Sequence, residues 1–330
     1  MTGGSYIVVG GAGFIGSHFV DRLLADPATT RVTVYDNFSS GRDWHLAAHA
    51  DDRRLAVVRG DVGDLDALTA AMAGHGTAIH LASNPDIAAA MRDPTVDFRE
   101  GTALTNNVVE AMRRAGVPRI LYASGSGVYG DLGSTEIPED HAPMEPISTY
   151  GASKLAGEAL IAAYAHMFGM AGLCFRFANV VGPRQTHGVG YDFVRRLMAD
   201  PGRLAILGDG RQSKSYIHVH DVVDAVLTAH ARETRRFQVF NVSTLDAISV
   251  TDIGRLACRV VGLDSEAVRF DYAGGDRGWK GDVPVVRLDS RRIRALGWSH
   301  RFDTAAAMEH AMQAVKADVE AGHVPLPERG

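Results

Sequence analysis

The chain is poor in cysteine, with only Cys174 and Cys258 among 330 residues. The two are far apart and form no CxxC pair, which argues against a disulfide framework and makes a reducing cytoplasm the expected compartment. No apolar run approaches the roughly 18 residues that span a bilayer, so no membrane association is expected. Neither sign of charge dominates: Lys and Arg number 34, Asp and Glu 39, for a net charge of -5. That balance gives no electrostatic reason to expect a nucleic-acid partner. The start, "MTGGSYIVVGGAGFIG", has no basic leader and is broken by glycines, so it does not read as a signal peptide. Internal repeats and low-complexity segments are absent. The chain is instead 46% hydrophobic and 22% charged, the balance of a soluble globular protein. Its length suits one large or two modest domains.

Short β-branched runs alternate with helical patterns through the first half. Residues 5–10, 31–36, 54–61, 77–83, 119–124 and 172–179 read as strands. Residues 14–25, 65–74, 98–115 and 149–168 read as helices, the first with Pro27 as a stop signal just beyond it. This alternation implies βαβ units and a mostly parallel sheet covered on both faces, an α/β class of protein. After about Asn179 the elements shorten. Residues 238–243 read as a late strand returning to the main sheet. Residues 249–262 read as a helix with Ser249 as N-cap and Gly262 at its end. The expected organisation is a doubly wound dinucleotide-binding domain over 1–178, with a return around 213–246. A smaller α/β substrate domain would occupy 179–212 and 247–330.

"VVGGAGFIGSH" carries Gly10-x-x-Gly13-x-x-Gly16 between a strand and a helix, the context such a motif requires. Gly10 permits the tight turn, Gly13 the approach of backbone to a pyrophosphate, and Gly16 close packing of helix on strand. The helix N-terminus then faces the phosphates with its dipole. Asp36 ends the second strand, twenty residues after Gly16. A carboxylate there accepts ribose hydroxyls and repels a 2′-phosphate, which favours NAD over NADP. Arg42 offers a charge for such a phosphate, but Asp36 outweighs it. Asp61 and Val62 follow the third strand, where an adenine would lie.

Tyr150 and Lys154 stand one helical turn apart on one face. A phenol titrates near ~10 in water. A nearby ammonium and a cationic nicotinamide would lower that value, letting Tyr150 act as a general base while hydride leaves for NAD. Alone, YxxxK is common; its weight here comes from the dinucleotide motif and the Ser-rich strand end before it.

The pieces "GGAGFIGSH", "YDNFSSG", "RGDV", "HLASNP", "YASGSGVYGD", "YGASKLAGE", "RFANVVGPRQ", "LGDGRQSKSYIHVHDV" and "GDRGWKGDVP" span nearly the whole chain. Together they resemble the extended short-chain dehydrogenase/reductases of the nucleotide-sugar branch, the UDP-glucose 4-epimerases in particular. The resemblance implies a Rossmann-type domain with a smaller C-terminal α/β domain, an NAD cofactor, a UDP-sugar substrate and a homodimer. It implies NAD contacts from Gly10, Gly13, Phe14, Ile15, Gly16, Asp36, Asn37, Ser40, Gly41, Asp61, Val62, Leu81, Ala82 and Ser83, besides Tyr150 and Lys154. Asn84, Gly125 and Tyr129 would border the sugar. Asn179 and Arg277 would contact the diphosphate, and Val189, Tyr191, Leu204 and Ile206 belong to segments that would hold the uridine. Arg277 reads equally well as a loop salt bridge and Tyr129 as packing. Helices 98–115 and 149–168 resemble those that pair subunits; Leu104, Val108, Ala111 and Met112 fit that role or packing on the sheet. His187, His218 and His220 lack a carboxylate or Cys cluster of ligand spacing, so no metal site is expected.

Four departures from the family pattern stand out. The hydroxyl residue expected three positions before the "VYG" valine is Gly125, flanked by Ser124 and Ser126, the candidate hydroxyls for proton relay. Strand alternation turns both flanking side chains the other way unless the chain curls. The Asp-Glu pair of sugar-nucleotide 4,6-dehydratases is replaced by Ser126 and Gly127, which disfavours elimination of water. Lys214-Ser215 replaces an Arg-Asp pair, and Lys cannot supply a bidentate grip, which would leave the diphosphate to Arg277 or Arg184. "HLASNP" replaces the commoner "HLAA". The expected function is NAD-dependent 4-epimerisation of a nucleotide sugar, UDP-glucose/UDP-galactose first, with UDP-GlcNAc or UDP-glucuronate as other substrates. A UDP-glucuronate decarboxylase is a second reading, and a catalytically weakened NAD(H) sensor or scaffold a third.

Overall fold

The computed structural model describes residues 4–327 apart from 85, 276, 279, 280 and 282. Seven parallel strands form the main sheet, in the order Phe237–Val242, Ala171–Phe177, Arg119–Gly125, Thr77–His80, Ser5–Val9, Arg31–Asp36 and Leu55–Arg59. Chain order runs outward from Ser5–Val9 to one edge, then restarts on its other side at Thr77–His80. That reversal opens a crevice at the carboxyl ends of these two strands, where ligands of such sheets bind. The expected α/β doubly wound sheet is therefore present.

Both faces are covered because the central strands are apolar on both. Helices Phe14–Leu24 and Val219–Arg232 bury Phe19, Val20, Leu23, Val222, Val223 and Val226 on one face. Helices Leu65–Met72, Leu104–Ala115 and Thr149–Phe168 bury Leu68, Met72, Val108, Met112 and Ile161 on the other. Val108, Ala111 and Met112 are thus part of this chain's own core, fully shielded from solvent. Of the two roles their spacing allowed, packing on the sheet is the one observed.

The single helix expected over 98–115 is broken in kind. Phe98–Ala103 winds as a π-helix before the α-helix Leu104–Ala115 begins. Gly101 passes so close to Ser153 that a Cβ would stand 2.6 Å from its Oγ. Such π-turns are rare and occur frequently at functional sites.

The late strand Phe237–Val242 does return to the main sheet, beside Ala171–Phe177. Residues just before it take other partners. Ser213–Lys214 joins a small four-stranded sheet with Ile248–Ser249, Val285–Leu288 and Glu136–Ile137, and Tyr216–His218 pairs with Asn179–Val181. A third core joins helices Val189–Ala199, Val250–Val261 and Thr304–Glu320 through Phe193, Leu197, Ile253, Leu256, Met308 and Met312. No helix among the described residues is long and apolar enough to cross a membrane.

Candidate active site

The glycine-rich turn lies at the carboxyl end of Ser5–Val9. Gly10 has φ +83°, and a Cβ on it would meet the Ala82 amide nitrogen at 2.8 Å. A Cβ on Gly16 would lie 2.2 Å from the Gly10 carbonyl oxygen, so only glycine lets helix and turn close together. Gly13 differs: the nearest atom to its added Cβ is 3.4 Å away. Helix Phe14–Leu24 begins after Gly13 with no side-chain cap and no acidic residue in its first turn. Its free amides and dipole suit an anion.

Asp36 closes the next strand and is 7% exposed. Its carboxylate accepts the Ala12 amide at 2.9 Å and the Phe38 amide at 2.7 Å, which fixes the turn to the strand. Each oxygen keeps acceptor capacity for a ribose hydroxyl. Asn37 donates to Asp61 Oδ2 at 3.0 Å, and the Gly63 amide to its Oδ1 at 2.7 Å. The Asn37 and Gly63 bonds hold the Asp61 carboxyl below its ordinary range. Arg42 donates to its own neighbour, the Gly41 carbonyl, at 2.9 Å. The Leu81 and Ala82 amides both bond the Val9 carbonyl, at 2.9 and 3.1 Å, and bring 81–84 to the mouth of the crevice. These groups form a cradle of open backbone and one committed carboxylate that fits a dinucleotide.

Tyr150 and Lys154 sit on the first turns of helix Thr149–Phe168, capped by Ser148, whose hydroxyl accepts the Gly151 amide at 3.0 Å. Lys154 is 3% exposed. Its ammonium donates to the Ala123 carbonyl at 3.0 Å and lies 5.5 Å from the centre of the Tyr150 ring. Burial lowers the Lys154 pKa to about 8, against the pull of the Asp97 charge. The Tyr150 phenol is raised, first by burial; a hydrogen bond with Ser83 opposes this and the Asp97 charge adds to it. The lowering expected from the neighbouring ammonium is therefore not found in the protein alone, because desolvation outweighs it.

Several expected contacts are made elsewhere. Ser124 donates its hydroxyl to Glu158 Oε1 at 2.6 Å and is committed to that buried carboxylate. Tyr129 is 1% exposed, accepts from Arg176 at 2.7 Å and donates to Asn241 at 2.8 Å, so its hydroxyl is committed within the protein, as the packing alternative had it. Asn84 spends its amide on its own surroundings, at 2.9 Å to Asp97 and 2.8 Å to the Asp86 carbonyl. Leu204 and Ile206 are 0% and 1% exposed, their side chains inside the third core. The alternation of strand Arg203–Ile206 sends them inward.

Other residues remain at the surface of the crevice region. Asn179 is exposed at the head of Asn179–Val181. Val189 and Tyr191 occupy the first turn of their helix, with the Arg195 guanidinium 4.8 Å over the Tyr191 ring. Ser126 opens the short turn Ser126–Val128. Arg277 pairs with Asp131 at 2.7 Å, and Arg184 with Asp21 at 2.8 Å. Ser215 is buried against Ser243 at 2.9 Å. His218 and His220 stack in a cluster with His18 and His310, and no group of three or more His, Cys, Asp or Glu among the described residues is arranged to hold a metal.

Sequence reasoning missed Asp97. It is 1% exposed, accepts from Asn84 and, at 2.6 Å, from Thr149, and acts electrostatically on both Tyr150 and Lys154. It also missed the buried chain Ser124, Glu158, Arg176, Tyr129 and Asn241. The one available signal was Glu158, one turn beyond Lys154, a second charged residue on the buried face of its helix.

A parallel sheet with its crevice at a glycine-rich turn, and a Tyr–Lys pair at that mouth, define an NAD-dependent enzyme of the short-chain dehydrogenase/reductase type. The chain belongs to the NAD dependent epimerase/dehydratase family, whose model matches residues 6–243. It is 35% identical to a UDP-glucose 4-epimerase of Mycolicibacterium smegmatis, over 93% of this chain and 97% of that one. It is also 35% identical to a dTDP-glucose 4,6-dehydratase of an Actinoplanes species, over 90% and 93%. A crystal structure of UDP-galactose 4-epimerase superposes with a TM-score of 0.83 at 36% identity, covering 96% of this chain and 99% of that one. By class the chain is an NAD-dependent sugar-nucleotide epimerase.

Proposed function

We propose that the protein interconverts the carbon-4 epimers of a UDP-hexose, UDP-glucose and UDP-galactose first. The observation that carries this is the Tyr150–Lys154 pair at the crevice mouth beside a strand end, 125–127, with no titratable group. Elimination of water needs an acid and a base there; oxidation and reduction at carbon 4 needs only the phenol. The dehydratase relatives share the scaffold, but this chain has Ser126 and Gly127 where an acid–base pair would stand.

NAD, when bound, would supply the hydride acceptor and donor for carbon 4. Gly10, Gly13 and Gly16 with the helix N-terminus would hold its pyrophosphate, and Asp36 its ribose hydroxyls. Tyr150 accepts the proton of the 4-hydroxyl as that carbon becomes a ketone. Lys154 keeps positive charge beside the phenolate. Once the 4-keto sugar has turned its other face, Tyr150 returns the proton and the epimer leaves. Asn179, Val189, Tyr191 and Arg277 hold the nucleotide, and a homodimer completes the reading.

The test is incubation with UDP-glucose, UDP-GlcNAc and UDP-glucuronate in turn, without reductant, followed by proton NMR. A 4-epimer from UDP-glucose supports the proposal. Epimerisation of another sugar only would move the substrate. Loss of the carboxylate from UDP-glucuronate would favour the decarboxylase reading.

A further inference from the structure

We propose that Ser83 is the hydroxyl partner of the Tyr150 phenol in this chain, and that Asp97 is the positioning residue that holds the two together. Gly125 is the first observation. It lies at an extended φ of -154° and ψ of 163°, which any residue adopts. A Cβ built on it meets no atom within 4 Å. Neither backbone nor packing demands glycine there, so the strand end offers open space and no hydroxyl. Ser124 is already committed to Glu158.

The second observation comes from the neighbouring strand. Thr77–His80 pairs with Arg119–Gly125, His80 opposite Tyr122, and leads straight into Ser83. The Ser83 hydroxyl lies near enough to the Tyr150 phenol to favour its ionised form. The third is the clamp. Asn84, next to Ser83, donates to Asp97 Oδ1 at 2.9 Å; Thr149, next to Tyr150, donates to Asp97 Oδ2 at 2.6 Å. One buried carboxylate therefore ties the chain on both sides of the Ser83–Tyr150 contact. Two hydrogen bonds offset part of the cost of burying that charge.

In the ionised state Ser83 donates its O–H to the phenolate. When Tyr150 has taken the sugar proton, the phenol donates and Ser83 Oγ accepts. No covalent bond to Ser83 forms or breaks. The kinetic arm of this proposal rests on the epimerase reading; the titration arm does not.

The experiment is an ultraviolet difference titration of the Tyr150 phenol in the full-length protein as isolated, with Tyr150→Phe as the blank. Ser83→Ala is expected to raise the phenol pKa, and to lower kcat roughly tenfold with KM within about twofold. Ser83→Thr keeps the hydroxyl and is expected to retain the wild-type titration. Adding Gly125→Ser to Ser83→Ala fills the open space with a hydroxyl and is expected to restore kcat. Asp97→Asn loosens the clamp, so kcat is expected to fall and Ser83→Ala to shift the phenol titration less in that background than in the wild type; an equal shift in both backgrounds removes Asp97 from the proposal. An unchanged phenol titration in Ser83→Ala overturns the proposal. A shifted titration in a protein that converts no sugar nucleotide supports it and sinks the epimerase reading instead.

Discussion

Tyr150 and Lys154 stand one helical turn apart, and the proposed roles give their substitutions separate signatures. Tyr150→Phe removes the proposed proton carrier. The turnover rate is expected to fall by about 10²–10⁴-fold, with NAD content after gel filtration unchanged. Lys154 titrates at about 8 because it is buried. Its ammonium is present below that value and lost above it. Activity, read as kcat/KM, is therefore expected to fall as pH rises through about 8. Lys154→Arg keeps its charge through that range, so the alkaline limb should move upward; a limb still at the wild-type position would show that another group causes it. Leu204, Ile206 and Tyr129 are family-like positions whose side chains are packed inside this chain's cores.

At the scale of elements, strand Ala171–Phe177 and helix Thr149–Phe168 are joined by a buried ion pair. Arg176 Nη2 donates to Glu158 Oε2 at 2.6 Å, and Ser124 and Tyr129 complete the network. Both partners are nearly inaccessible, at 2% and 5% side-chain exposure. Glu158→Ala would strand a guanidinium in the core, and a loss of about 3–5 kcal/mol is expected from urea unfolding. Glu158→Gln keeps the volume and an acceptor and should cost less. At the first βα turn, Gly16→Val is expected to abolish NAD retention, because even a Cβ would stand 2.2 Å from the Gly10 carbonyl. A variant that still binds NAD as tightly as the wild type would show that the turn can reopen.

At the scale of the whole molecule, buried histidines tie stability to pH. Burial lowers His18, His45 and His230 to about 4, and His80 and His218 to about 3. His18 and His218 also face His220, His310, Arg184 and Arg301, which disfavour further positive charge. The unfolded chain binds these protons near ~6.5, so below that pH it binds more protons than the fold. Stability is thus complete above about 6.5 and is lost progressively as pH falls. Each such imidazole adds up to about 1.4 kcal/mol per pH unit to the fall. Urea midpoints at neutral pH and at pH ~5 check this; equal midpoints would refute it. Phe98, 64% exposed, and Met167, 72% exposed, lie on the two helices expected to pair subunits, and sedimentation of the wild type against Phe98→Asp tests that dimer.

Periodicity and turn chemistry sufficed for much of this protein. The spans Arg31–Asp36 and Thr149–Phe168 stand where the pattern put them, and Ser249 and Gly262 cap their helix as expected. Gly10, Gly13, Gly16 and Asp36 were legible because a strand–turn–helix of fixed spacing is local, and so was the Tyr150–Lys154 turn. What was decided only in three dimensions is which faces meet. Asp97 reaches Asn84 across 13 positions and Thr149 across 52, and Tyr129 reaches Asn241 across 112. Those partners are set by the order of strands in the sheet, which local pattern does not encode. Glu158 needed Arg176 from the neighbouring strand to become a buried pair rather than a surface charge. The sequence alone therefore determined the glycine-rich turn, Asp36 and the Tyr150–Lys154 spacing, whereas long-range hydrogen bonding decided that the Asp97 carboxylate ties Asn84 to Thr149 beside them.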